Sequence, residues 1–135
     1  MKRILGIDYG TKKLGFALSD EEQKIAFPKA VVPNDWKEIE RAIGGFDVQG
    51  IGEAVVGLPV GLDGRETPLS GEVRAFGARL KEVFGFEVYF ENEVYSSAAV
   101  RTAAGEVNPD RLDASAAAMI LQSFLDRRRG AGMVK

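Results

Sequence analysis

Hydrophobic positions fall into continuous runs and periodic stripes along this chain. Ile4 to Ile7 is a continuous apolar run, and its lack of alternation predicts a strand buried on both faces. Asp8 interrupts the run as the strand ends, and Gly10 permits a tight turn. Leu14, Phe16 and Leu18 then alternate with Gly15 and Ala17, the pattern of a returning hairpin arm. Ile25 to Val32 reads as a third strand, and Pro28, which has no N–H to give a ladder, assigns it to a sheet edge. Trp36, Ile39 and Ile43 follow at helical spacing and end at Gly44-Gly45.

Ala54 to Leu58 is the second continuous run, hence a second central strand, closed by Pro59. A polar loop from Gly61 to Thr67 contains Asp63-Gly64-Arg65. Pro68 suits the first turn of a helix, where its missing N–H costs little, and Leu69, Val73, Phe76, Leu80 and Val83 mark its buried stripe. Gly85 stops that helix. Phe86, Val88 and Phe90 alternate along a fifth strand that runs into Glu91-Asn92-Glu93. Ser96 or Ser97 suits the cap of a small helix from Ala98 to Ala104, ended by Gly105, and Asn108-Pro109 opens a last helix reaching about Arg129. This order predicts an α/β fold, a five-stranded mixed sheet flanked by helices.

Composition narrows the chemistry. With 135 residues the chain fits one domain, residues 1–135. It has no apolar run that could span a bilayer, and Met1-Lys2-Arg3 leads straight into a strand rather than a signal peptide. The expectation is a cytoplasmic protein. Cysteine and histidine are both absent, which excludes Ser-His and Cys-His nucleophiles and the usual zinc sites. Acid, base or ligand chemistry must come from carboxylates, Lys, Tyr, hydroxyls or a bound metal. A net charge of −2 neither marks nor excludes a nucleic-acid binder, since a local basic stripe matters more than the total. Cations cluster at Lys12 with Lys13, at Arg74 with Arg79 and Lys81, and at Arg127-Arg128-Arg129. The last cluster reads as cations suited to a helix end.

Three acidic points stand at element ends, where sites of open α/β sheets gather. Asp8 ends the first strand, and Glu93 lies just past the fifth. Asp113 is followed at three, four, seven and eleven residues by Ala116, Ala117, Ile120 and Phe124, so it shares the inward face of the last helix. The small Ala116, Ala117 and Ala118 would let this helix approach the sheet closely. Each acid also has a local reading. Asp8 can be a turn-former bonding the following amides, and Asp110 and Asp113 can serve a helix N-terminus. Convergent carboxylates would repel one another unless a cation sits among them. An all-oxygen set suits Mg²⁺ or Mn²⁺, and paired ions can cut a phosphodiester.

These residues resemble the YqgF (RuvX) family, a branch of the ribonuclease H-like superfamily related to the RuvC Holliday junction resolvases. The likeness covers essentially the whole chain. It is carried by Gly6-Ile7-Asp8-Tyr9-Gly10-Thr11, by Gly57-Leu58-Pro59 with Asp63-Gly64, and by Val73-Arg74-Ala75-Phe76. Leu112-Asp113 with Ala116-Ala117 and Ile120-Leu121-Gln122-Ser123 completes it. The resemblance implies a ribonuclease H-like fold and a metal-dependent nuclease whose acids match Asp8, Glu93 and Asp113, with two Mg²⁺ or Mn²⁺ ions. Asp110 resembles an extra aspartate of the RuvC relatives and is a candidate fourth ligand. One segment departs from the family. Where it commonly reads Asp-Glu-Arg-Leu-Thr-Ser, this chain has Asn92-Glu93-Val94-Tyr95-Ser96-Ser97, losing an arginine able to hold a phosphate bidentately. Glu91 rivals Glu93, because residues two apart in a strand share a face. Glu93 keeps the family's distance to the serine pair.

The implied substrate is structured RNA, the 5′ end of precursor 16S ribosomal RNA, with Lys12, Arg65 or Arg74 steering phosphates by loop position and nearby charge. A second implied activity is resolution of branched, four-way DNA junctions, which needs two facing sites and thus a homodimer rather than a monomer. A third reading is a non-catalytic nucleic-acid-binding or ribosome-assembly module. Asp8-Tyr9-Gly10-Thr11 also resembles the phosphate loop of actin-like ATPases and sugar kinases, which need two such lobes where this chain supplies one.

Overall fold

The computed structural model of the chain describes residues 2–46, 48–61, 63–94 and 109–134. In chain order the elements are β1 (Arg3–Tyr9), β2 (Lys13–Ser19), β3 (Ala26–Pro33), α1 (Trp36–Gly44), a 3-10 turn (Val48–Gly50), β4 (Ile51–Val60), α2 (Pro68–Phe84), β5 (Glu87–Val94) and α3 (Pro109–Val134). The strands form one sheet in the order β3-β2-β1-β4-β5. β1 pairs antiparallel with β2 and parallel with β4, β2 pairs antiparallel with β3, and β4 pairs parallel with β5. The sheet is therefore mixed, with helices on both faces, and its architecture is ribonuclease H-like. The small helix expected over 98–104 lies outside the described residues.

Local pattern accounts for most of this. Ile4, Leu5 and Ile7 are fully buried on the two faces of β1. The strand carrying Pro28 is an outer one, next to β2 alone, and its register slips beside that proline, between Phe16 and Ala17. Gly85 ends α2 in the left-handed conformation, φ 78°, which glycine adopts without steric cost. Thr67 and Ser70 close a reciprocal cap at its start, and the Ser70 hydroxyl also donates to the Pro59 carbonyl at 2.5 Å.

Four expectations need correction. Pro59 does not close β4, which runs on to Val60 with Pro59 opposite Glu93. Pairing with β1 stops at Ile7 and Val56, so one side of β4 is already unladdered where the N–H is missing. Val83 is 46% exposed; the buried stripe of α2 is Ser70, Val73, Phe76, Gly77 and Leu80. Glu93 lies within β5 rather than past it. The last helix continues to Val134, so Arg127-Arg128-Arg129 does not form its terminus.

Two apolar layers result. On one face, α1 and α2 cover a bulky cluster that includes Leu5, Ile7, Leu14, Phe16, Ile39, Val56 and Leu80. On the other, α3 packs on Ile4, Ala17 and Val55 through Ala117, Ile120, Leu121, Phe124 and Leu125. The expected inward stripe of Ala116, Ala117, Ile120 and Phe124 is buried throughout.

Candidate active site

Strand alternation decides where Asp8 points. Leu5 and Ile7 belong to the cluster under α1 and α2, and Tyr9 packs against it. Ile4 belongs to the cluster under α3. A Cβ placed on Gly6 would lie 2.7 Å from the Leu121 Cβ and 3.1 Å from the Ala117 carbonyl oxygen. Ile4, Gly6 and Asp8 therefore share the α3 face. Asp8 is half-buried opposite Gly15 of β2. Only a residue without a side chain fits two positions before it.

Parallel register brings a second carboxylate level with it. Ile7 pairs with Val56 and Val56 with Phe90. The β1–β4 ladder ends there, while Gly57 goes on to pair with Glu91; one residue further along each strand, Asp8 and Glu91 lie two strands apart, ~10 Å by strand spacing. Gly57 puts no side chain between them on the sheet. Glu91 is 7% exposed and is clasped by α3: the Ser123 hydroxyl donates to Oε2 at 2.9 Å, and the Arg127 guanidinium donates to Oε1. Burying a carboxylate is costly without such partners. The rival that sequence spacing raised for Glu93 thus has both oxygens engaged.

A second clasp lies further along α3. Arg128 donates to both oxygens of Glu53 at 2.9 Å and lies over the rings of Phe124 and Tyr89 at 4.6 and 5.4 Å. The Arg128 hydrogen bonds hold the Glu53 carboxyl below its ordinary value and raise that of Arg128. From Arg128 beside Glu53 back to Ala117 beside Gly6, the helix travels toward the carboxyl end of β1. One helical turn further, ~5.4 Å, its backbone carries Asp113. The side chains of Glu93, Asp110 and Asp113 lie outside the described residues. Their backbone positions are in β5, opposite Pro59, and in the first turns of α3.

The predicted phosphate contacts are scattered. Lys12 is exposed in the β1–β2 turn, where its carbonyl accepts the Asn34 N–H at 2.9 Å. Arg65 is exposed in the β4–α2 loop, 3.8 Å from Asp63. Arg74 forks onto Glu66 at 3.0 and 2.5 Å and lies over Phe90. Its hydrogen bonds lower the Glu66 carboxyl and raise the Arg74 guanidinium. The supposed cluster of Arg74, Arg79 and Lys81 does not exist as one patch, because Arg79 stacks on Trp36 and Lys81 faces Glu87 at 3.7 Å. Pattern reading missed the Arg127 and Arg128 clasps. The four-residue spacing of Ser123 and Arg127 was the available signal, since such pairs share a helix face.

Among the described residues, no three metal-ligating side chains surround one point. The predicted donors fit a hard divalent cation in chemical type, being carboxylates throughout. Asp8 supplies the described member of that set, half-buried at the sheet's edge of opening under α3.

A mixed sheet of this order, covered by a long helix on the face that bears the carboxylate, defines the ribonuclease H-like class. The chain belongs to the RuvX family: the family model described as "Holliday junction resolvase" matches residues 2–127. Proteins named "Putative pre-16S rRNA nuclease" are similar over most of their length. The one from Paramagnetospirillum magneticum is 36% identical over 96% of this chain and 88% of its own. That from Ralstonia pickettii is 37% identical over 91% and 86%, and that from Escherichia coli O157:H7 30% over 92% and 96%. Among solved structures, the fowlpox virus Holliday junction resolvase aligns over 93% of this chain and 99% of its own, at 16% identity and TM-score 0.49. Nucleases and resolvases are hydrolases of phosphodiester bonds. No helix among the described residues is long and apolar enough to cross a membrane.

Proposed function

We propose that this chain is a divalent-metal-dependent nuclease, acting as one domain on the 5′ end of precursor 16S ribosomal RNA in the cytoplasm. The observation that carries the reading is the family match over residues 2–127, with Asp8 on the α3 face at the carboxyl end of β1. Asp8, Glu93 and Asp113 would hold Mg²⁺ or Mn²⁺, two ions by family resemblance, with Asp110 as a further ligand. Bound there, such cations would supply Lewis-acid polarisation of the phosphodiester and activation of a water. Asp8 contributes a carboxyl group whose position is set by the pairing of β1 with β2, opposite Gly15. Gly6 lets α3 lie close enough to narrow the site on that face. Lys12, Arg65 and Arg74 draw phosphates toward the opening, Arg74 by exchanging Glu66 for a phosphate oxygen. Alanine at each should weaken binding and flatten its salt dependence, and an unchanged slope removes that residue from the set.

The description carried by the family model favours a second reading, cleavage of four-way DNA junctions by a homodimer. One experiment separates the two. A precursor ribosomal RNA 5′ segment and a mobile DNA junction are each incubated with wild type and Asp8→Asn, in Mg²⁺, Mn²⁺ or chelator. Metal-dependent RNA cleavage lost in Asp8→Asn is the expected result. Symmetric junction nicking, with a dimer by sedimentation, moves the assignment to a resolvase. Tight binding without cleavage of either substrate makes the chain a binding module.

A further inference from the structure

Where β1 ends, its last residue turns away from the carboxylate face. Tyr9 faces α1 and α2 and there lines a cavity of about 330 Å³ together with Asn34, Trp36, Ile39, Glu72, Phe76 and Arg79. Three aromatic rings and one guanidinium plane make up half of that lining. Tyr9 and Phe76 have ring centroids 5.0 Å apart, Trp36 meets Phe76 edge-on at 6.2 Å, and the Arg79 guanidinium lies 4.0 Å over the Trp36 ring. Arg79 differs from Arg65, Arg74, Arg127 and Arg128, each of which meets a carboxylate. Among the described residues none pairs with Arg79, so its exposed plane is available to a ligand.

We propose that this cavity is a stacking subsite for one unpaired base of the nucleic-acid strand. The inference rests on the nucleic-acid reading of the active site. Aromatic rings and guanidinium planes are the surfaces on which unpaired bases stack. Glu72 at the rim repels a phosphate but accepts from an exocyclic amine, so the occupant is a base. Asn34 ties the rim to the β1–β2 turn, its amide donating to the Gly10 carbonyl at 2.8 Å. Tyr9 directly follows Asp8, with Cα atoms ~3.8 Å apart. A base held against Tyr9 leaves its neighbouring phosphodiester at the lip that carries Asp8. A larger cavity, about 560 Å³, sets Arg3 and Lys29 against Asp20, Glu21 and Glu22, at the other end of β1 and with one more acid than base in its wall.

The single tryptophan of the chain is Trp36, so tryptophan emission comes from the wall of this cavity. With chelator present to prevent cleavage, the protein is titrated with a short single-stranded RNA, its DNA counterpart and an abasic strand of equal length. Base-bearing strands are expected to quench Trp36 and the abasic strand to leave it unchanged. Arg79→Ala should lose about tenfold in affinity for base-bearing strands alone, with unfolding by circular dichroism unchanged, and Arg79→Lys should restore part of it. Equal binding of the abasic strand, or saturation without any change in Trp36 emission, overturns the subsite. Quenching by a protein that cuts no substrate keeps the subsite and removes the nuclease assignment. Cleavage without quenching does the reverse, and failure to bind any strand removes both.

Discussion

The two faces of the sheet are built on opposite plans. Under α1 and α2, the central strands present Leu5, Ile7, Leu14, Phe16, Leu18, Val56 and Leu58, large groups that hold the helices off. Under α3, the same strands present Ile4, Gly6, Asp8, Gly15, Ala17, Val55 and Gly57, and the helix meets them with Ala117 and Ala118 beside Ile120, Leu121, Phe124 and Leu125. The first face is a thick apolar layer that stabilises by burial. The second gives up volume on the strand side, where Gly6 admits Leu121 and the Ala117 backbone, and it is the face on which Asp8, Glu53 and Glu91 sit. A carboxylate can be kept at a helix–sheet contact only if the spacing is short enough for the helix's own cations and hydroxyls to reach it. Arg127, Arg128 and Ser123 do so.

The contrast can be broken by substitution. On the thick face, Phe16→Ala removes a fully buried ring from contact with Phe46 at 5.9 Å and should cost about 3–5 kcal/mol in urea unfolding. On the thin face, adding atoms should hurt instead. Gly6→Val drives a side chain into Leu121 and the Ala117 backbone, with an expected loss of about 1–3 kcal/mol. Gly44→Ala, which meets nothing within 4 Å, serves as the neutral control. A Gly6→Val protein as stable as wild type would mean that α3 does not press on β1.

Smaller effects test the clasps. Arg127→Ala leaves Glu91 buried with Ser123 as its remaining partner; because Arg127 is itself 64% exposed, the expected cost is only about 1–2 kcal/mol. In a double-mutant cycle with Glu91→Gln that cost should shrink, and strict additivity would show that the two do not interact. The smallest effect is the pH response of Glu53. Its folded pKa lies below the ordinary 4.5, so the Arg128 pair contributes stability above that pH and loses it as pH falls through the lowered value. Arg128→Met should therefore flatten the fall in Tm below about pH 4.5. A Tm profile parallel to wild type would remove the pair from the acid response.

Much of the fold was legible in local pattern. Ile4 to Ile7 announced a doubly buried strand, Pro28 an outer one, and Gly85 the end of α2. Asp8 was legible as a site candidate because a carboxylate at the end of such a run is costly without a purpose. The errors share one cause. Pro59 looked like a strand end and Val83 like a core residue because periodicity ignores neighbours: an unladdered side of β4 tolerates proline, and at the end of α2 Phe84 packs on the core while Val83 turns outward.

Short-range periodicity was enough to place strands, helices and the α3 inward face along this chain, since each depends on steric and burial preferences within a few residues. The meetings of Glu91 with Arg127, 36 residues apart, and of Glu53 with Arg128, 75 apart, belong to the tertiary structure alone. So do the stacking of Arg79 on Trp36 and the placing of Asp8 and Glu91 on one face of the sheet. They follow from sheet register and from the line α3 takes across the sheet. That line is set by the summed packing of small residues on two elements, which no single stretch of sequence encodes.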